Sequence, residues 1–235
     1  MIKKVFPGAC RGVCVKHLMN GSDKRRRNAF TLIELIVVVG IIIVLSGLVL
    51  STVGYARKKG ARARAETEIA AMSAACENYK ADNAVYPLSS ATNALDARTM
   101  LDPQLANATT YKTASLVLYR ALSGDRNLDR AVNTTDGNFD IDGSTLNPPP
   151  SQPKPPPSYF AFKPNMLFPA DQTQNVQYIQ DPFSVSYGYS TANQADPLTP
   201  KGYNPTFDLW STAGVAASPT PSPPATQQGL WIKNW

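Results

Sequence analysis

The sequence has little with which to do chemistry. One histidine, His17, and three cysteines occur in 235 residues, and after residue 30 there is no histidine and a single cysteine, Cys76. No Ser/His/Asp or Cys/His set for nucleophilic catalysis can be drawn from that body, and neither a glycine-rich phosphate loop nor a nucleophile elbow is present. The chain reads as a non-enzyme. Cys10 and Cys14 lack a second cysteine pair, so a zinc site is short of ligands, and three thiols make no disulfide framework. "PGAC" at 7–10 has the look of a lipoprotein cleavage box, but no apolar run precedes it. On its apolar helical stripe, Cys76 reads as a small core hydrophobe.

Acidic charge is scarce only at the start. Residues 1–29 hold eight Lys/Arg against one Asp, whereas 30–235 hold 15 basic and 16 acidic residues, so the formal +6 comes from the head. A basic head points to membrane orientation or to nucleic acid. The body has no basic patch interleaved with aromatics, so nucleic acid is not an expected partner.

What the chain does have is one long apolar run. Between Phe30 and Ala56 the only ionisable side chains are Glu34 and Tyr55. At about 1.5 Å per helical residue, the stretch from Leu35 to Tyr55 spans roughly 30 Å, enough to cross a bilayer. "KRRR" at 24–27 precedes it, which holds the N-terminus in the cytoplasm and sends the rest outward. Arg57, Lys58, Lys59, Arg62 and Arg64 beyond the run pull the other way, and the bias of the first helix decides. A secretory signal peptide does not fit, because the run is too long and no A-x-A site closes it.

Helix continues past the run. Ala65, Ile69, Met72, Cys76 and Tyr79 recur at steps of four and three, with Arg64, Glu66, Glu68, Glu77 and Lys80 largely off that stripe as a solvated face. Asn83 and Pro87 stop it, so 30–82 reads as one helix, apolar all round over 30–56 and amphipathic over 57–82. A second helix is expected over 111–125, with Leu116, Tyr119 and Leu122 on one face and Gly124 as its stop. Strand-like pieces follow at 159–163, 176–180, 183–190 and 206–211. Proline-rich loops at 148–157 and 218–224 interrupt the 83–235 region, the first expected to be exposed and without a core role. In "TTDGNFDIDGS", Asp136, Asn138, Asp140 and Asp142 alternate like the start of a calcium loop, but no closing Glu follows; a solvated loop is the plainer reading.

"NAFTLIELIVVVGIIIVL", residues 28–45, resembles the class III signal of type IV prepilins and of type II secretion pseudopilins. The resemblance implies cleavage by a membrane prepilin peptidase between Ala29 and Phe30, N-methylation of Phe30, and a fold of the type IV pilin kind. That fold is α+β, a long N-terminal helix packed on a small antiparallel sheet with irregular Pro-rich loops. It further implies that Glu34 pairs with the Phe30 amine of a neighbouring subunit during assembly. This gives a physical account of a carboxylate in an apolar segment, where insertion scales penalise charge by about 2.5 kcal/mol or more near mid-span. The family usually has Gly where this chain has Ala29, and its leaders are usually shorter than 1–29. A start at Met19 would give an eleven-residue leader and make 1–18 an artefact of the start site.

A second set of echoes points to the major pseudopilin. "DNAVYP", "DPFSVSYGYS", "FDLWSTAG" and the terminal "IKNW" are similar in order to that family's DNG-x-YP, DPWG-x-PY-x-Y, (Y/F)DLWSxGxDG and I-x-NW. The family's loop after DLWS holds Ca²⁺. Asp208, Leu209 and Ser211 match its beginning, yet no acidic residue follows Gly214, so the calcium site is degenerate and no cofactor is expected to be required.

The resulting expectation is a structural subunit of a periplasmic pseudopilus that drives protein export. It would polymerise with copies of itself and other pseudopilins, meet prepilin peptidase and the inner-membrane secretion platform, and sit in the inner membrane as a single-pass protein with its C-terminal domain in the periplasm. Two alternatives stay open: a type IV pilus pilin for adhesion or motility, and a membrane-anchored extracytoplasmic binding module.

Overall fold

The computed structural model describes residues 30–104, 107–199, 201–215 and 228–235. Cys10, Cys14, His17, Met19, Ala29 and the 218–224 loop lie outside the described residues. The chain divides into two compact units, one ending at Leu50 and one beginning at Ser51, and the described elements are α+β.

Helix α1 runs Leu32–Asn83, within two residues of the sequence expectation at either end. In the first unit every large apolar side chain from Phe30 to Leu50 is exposed, and even the least exposed, Val39, is at 47%. Among the described residues this is the one helix long and apolar enough to cross a membrane. The C-terminal end of α1 closes on Ala84, whose φ of 63° turns the backbone left-handed while its N–H donates to Lys80 O at 2.7 Å.

The stripe read from the sequence is the helix's buried face in the second unit: Ala65, Ile69, Met72, Cys76 and Tyr79 are all 8% exposed or less. Helix α2 (Ser90–Ala94) is short and was not expected. Helix α3 (Ala108–Ser123) stops at Gly124, as anticipated. Gly124 has φ 83°, and a Cβ there would lie 3.0 Å from the carbonyl oxygens of Pro156 and Pro157. The 148–157 segment has no buried residue and contributes none to either core cluster, as expected, although its backbone lies close against Gly137 at Pro153–Lys154 and against Gly124 at Pro156–Pro157. Leu118, Tyr119, Ala121 and Leu122 of α3 join the α1 stripe in the main core with Ile179, Tyr187, Tyr189 and Leu209. Tyr111 and Ala114, further back on α3, belong to a second cluster with Leu95, Trp210 and Trp231. Leu116 is only partly buried.

Among the described residues two small antiparallel sheets form instead of one. Strands β1 (Leu167–Phe168) and β2 (Tyr178–Ile179) pair with each other, and β3 (Gly188–Ser190), β4 (Asp208–Ser211) and β5 (Ile232–Lys233) form the second sheet in that order. A short helix, α4 (Ala192–Ala195), lies between β3 and β4 in sequence. Gly188 stands opposite Trp210, and a Cβ on Gly188 would overlap the indole, so the close approach of β3 to β4 requires glycine there.

The expected strand at 159–163 does not form. Tyr159 and Phe160 instead donate both their N–H groups to Leu122 O, at 2.7 and 2.9 Å. That carbonyl is among the last of α3 and has no partner within the helix, which is why this extended segment is drawn to it. Glu68 is also corrected. Rather than facing solvent it is 9% exposed, held by Arg64 Nε at 2.6 Å and by the Tyr187 hydroxyl at 2.7 Å.

Candidate functional site

The N-terminal site begins with a helix cap. The Thr31 hydroxyl and the Thr31 backbone N–H both donate to Glu34 Oε2, at 2.7 and 2.8 Å, while the Glu34 N–H donates to Thr31 Oγ1 at 3.3 Å. This is a reciprocal capping box that satisfies donors with no partner inside the helix, and it places a carboxylate at the positive end of the helix dipole. Thr31 escaped the sequence reading although the T-x-x-E spacing announces it. The described hydrogen bonds of Glu34 use Oε2, and among the described residues no ion pair reaches it. Phe30, Ile33, Glu34, Val37 and Val38 share one shallow groove along the helix. Phe30 is 81% exposed. Ala29, the other half of the expected cleavage site, lies outside the described residues.

The basic cluster after the apolar run is divided in its contacts. Arg62 Nη1 donates to Leu230 O at 2.8 Å and Arg64 pairs with Glu68, whereas Arg57, Lys58 and Lys59 are exposed.

At the expected calcium loop, the oxygens are already bonded to protein donors. Asp208 Oδ2 and Oδ1 accept the N–H groups of Tyr203 and Asn204, each at 2.8 Å. The Leu209 carbonyl accepts the Asn234 N–H at 3.1 Å. Ser211 donates its hydroxyl to Asp181 Oδ2 at 2.5 Å and accepts the Ala213 N–H at 3.0 Å. A hard cation wants six to eight converging oxygens. Asp208, Leu209 and Ser211 do not fit that requirement, and among the described residues no group of three or more His, Cys, Asp or Glu side chains gathers to hold a metal. Burial pushes the carboxyls of Asp181 and Asp208 above the usual carboxylate range, against the pull of their hydrogen-bond donors.

The other acidic loop is turned inward at Asp136, whereas Asp140 and Asp142 are exposed, as a solvated loop requires. Asp136, fully buried, accepts the N–H groups of Arg126 and Asn127 on Oδ1 and that of Asn133 on Oδ2, which makes it the hub of a turn. Asp142 Oδ1 caps Ser144 at 2.7 Å. Cys76 is fully buried in the main core, and burial raises its thiol pKa, so it packs as a hydrophobe.

Left-handed backbone at residues other than glycine recurs in this unit. Ala84, Leu128, Arg130, Ser184 and Ala213 have φ between 55° and 72°. Ala84 ends α1, Ser184 sits in the turn closed by Asp181, and Ala213 follows β4.

Residues 24–50 match the family model described as the prokaryotic N-terminal methylation motif. No curated protein and no solved structure gives a significant match to the chain. The matched segment covers Ala29, Phe30, Thr31 and Glu34 and most of the exposed apolar helix. It supports a type IV pilin-like protein, processed by prepilin peptidase and anchored in the membrane by its N-terminal helix.

Proposed function

We propose that this protein is a structural subunit of a type II secretion pseudopilus. The observation that carries the filament reading is the methylation motif at 24–50 opening a helix whose large apolar side chains from Phe30 to Leu50 are exposed. In a bilayer, lipid covers that surface; in a fibre, neighbouring helices do. After cleavage at Ala29/Phe30, the methylated amine of one subunit's Phe30 pairs with Glu34 of the next, which compensates the carboxylate without a basic side chain in the span. The leader stays in the cytoplasm, the helix crosses the inner membrane, and the second unit projects into the periplasm, where it meets other pseudopilins and the secretion platform.

The left-handed residues support the secretion subtype. Three of them, Ala84, Ser184 and Ala213, fall at the glycines of the DNG-x-YP, DPWG and DLWSxG echoes. The backbone geometry that glycine serves is kept where the glycine itself is gone. In this reading hydrogen bonds to Asp181, Asp208 and Ser211 hold the DLWS loop, and no cofactor is required. A type IV pilus pilin would share processing and polymerisation, and the location of the filament separates it: a short periplasmic fibre needed for export, or a long surface fibre.

Glu34→Gln tests assembly cleanly. Glutamine keeps the reach-back of the capping box but removes the charge. The variant is expected to insert and be processed normally and to lose filament formation in a pull-down of crosslinked oligomers. Normal filaments from Glu34→Gln would sink the charge-pairing step.

A further inference from the structure

A groove of about 330 Å³ lies in the second unit between the end of α3, the 125–132 loop and the 158–167 segment; Tyr119, Asp125, Arg130, Phe160, Phe162 and Leu167 are in its lining. We propose that this groove binds an organic ammonium group, with Asp125 as its counter-ion.

Asp125 is 1% exposed. Its Oδ2 accepts the Tyr119 hydroxyl at 2.7 Å and the Arg130 backbone N–H at 2.8 Å, whereas Oδ1 is buried with no hydrogen-bond partner. Buried carboxylates are ordinarily saturated with donors or paired with a cation. Here neither condition holds. The guanidinium of Arg130 donates to Gln174 O at 2.7 Å, Gln172 Oε1 at 3.2 Å and Pro169 O at 2.6 Å. Among the described residues no salt bridge involves Asp125. The nearby carboxylates of Asp129 and Asp136 add charge of the same sign.

The lining also supplies aromatic surface. Phe160 and Phe162 meet edge to face with centroids 4.7 Å apart, and Phe162 lies 5.1 Å from Tyr119. The faces of such rings are negative and accept a cation, while their bodies pack against an alkyl stem. A metal ion would need several oxygens where one is unsatisfied. A neutral hydroxyl would bond Oδ1 but leave its charge uncompensated. An alkylammonium meets each requirement at once: N–H donors for Oδ1, a positive charge for the carboxylate and a stem for the phenylalanines. Its source is either a free amine or the lysine side chain of another polypeptide. Neither the site nor its chemistry depends on filament assembly.

The test is calorimetric titration of the full chain in detergent micelles with n-butylammonium chloride, with Nα-acetyl-lysine amide and with n-butanol. The proposal expects saturable binding of at least one ammonium probe and none of butanol. Binding of butylammonium alone assigns the groove to free amines, and binding of the lysine derivative admits a polypeptide side chain. Asp125→Asn, which retains an acceptor for Tyr119 and Arg130, should weaken binding about tenfold or more, because a charge-assisted hydrogen bond is lost. Phe162→Leu leaves the hydrogen bonds of Asp125 untouched and should also weaken it, while Asp142→Asn, outside the groove, should not. No saturable binding by either ammonium probe, equal binding of butanol, or unchanged affinity in Phe162→Leu would overturn the proposal.

Discussion

Restoring glycine at positions 84, 184 and 213 should stabilise the second unit. Each of these residues holds positive φ, at 63°, 66° and 55°. Left-handed backbone costs an L-residue with a Cβ about 1–2 kcal/mol. Replacement by glycine removes that strain but returns about 0.5–1 kcal/mol of entropy to the unfolded chain. The net gain is therefore centred on about 0.75 kcal/mol per site, within a range of about 0–1.5 kcal/mol. Little packing is lost in exchange, since Ala84 and Ser184 are exposed and Ala213 is only partly buried. For a domain of this size that gain raises Tm by roughly 1–4 °C. The assay is thermal unfolding of Ala84→Gly, Ser184→Gly and Ala213→Gly in detergent, followed by tryptophan fluorescence. All three tryptophans, at 210, 231 and 235, lie in or against the second core cluster. Ala74→Gly, at an exposed helical position in α1, serves as the opposite control and should lose about 1 kcal/mol. If the three variants melt below the parent as Ala74→Gly does, these positions do not carry the strain assigned to them, and the argument for retained motif geometry fails with it.

Tyr187→Phe leaves Glu68 Oε2 buried without its donor and should cost about 1.5–3 kcal/mol, or roughly 3–12 °C in Tm; additivity with Glu68→Gln in a double-mutant cycle would contradict direct coupling. Burial raises the Asp125 carboxyl above its ordinary value, with Tyr119 and Arg130 pulling it back and Asp136 and Asp129 pushing it further up. In the pH window between the ordinary carboxylate value and the raised one, the folded chain holds a proton there that the unfolded chain has released, and the stability contributed by this group falls as pH climbs through that window. The parent should accordingly lose stability relative to Asp125→Asn with rising pH, and a gain would reverse the sign of the assignment. Calcium should leave the fold unchanged: melting curves in excess calcium chloride and in EGTA are expected to superimpose, and a higher Tm with calcium would show that the DLWS loop recruits the ion despite its internal hydrogen bonds.

The long helices α1 and α3 were legible in the sequence, whereas the short α2 and α4 and most of the site chemistry were not. The run from Phe30 and the stripe 65/69/72/76/79 define α1 because each is long enough for its period to show, and Gly124 marks the end of α3 by its own backbone freedom. The strands, two to four residues each, are too short for alternation to separate them from aromatic coil. That is why 159–163 read as a strand and turned out to cap α3. Glu68 read as solvated because its partner Tyr187 lies 119 residues away. Asp125, Asp136 and Asp181 take their roles from turns closed around them, which composition cannot reveal. At the N-terminus the opposite holds: the T-x-x-E box of Thr31 and Glu34 is entirely local and was open to inspection.

Mass spectrometry of the N-terminus of the membrane-extracted protein tests the central claim most directly. The account predicts a mature chain beginning at Phe30 and carrying one methyl group on its amine. A chain that still begins at Met1 or Met19 would contradict it.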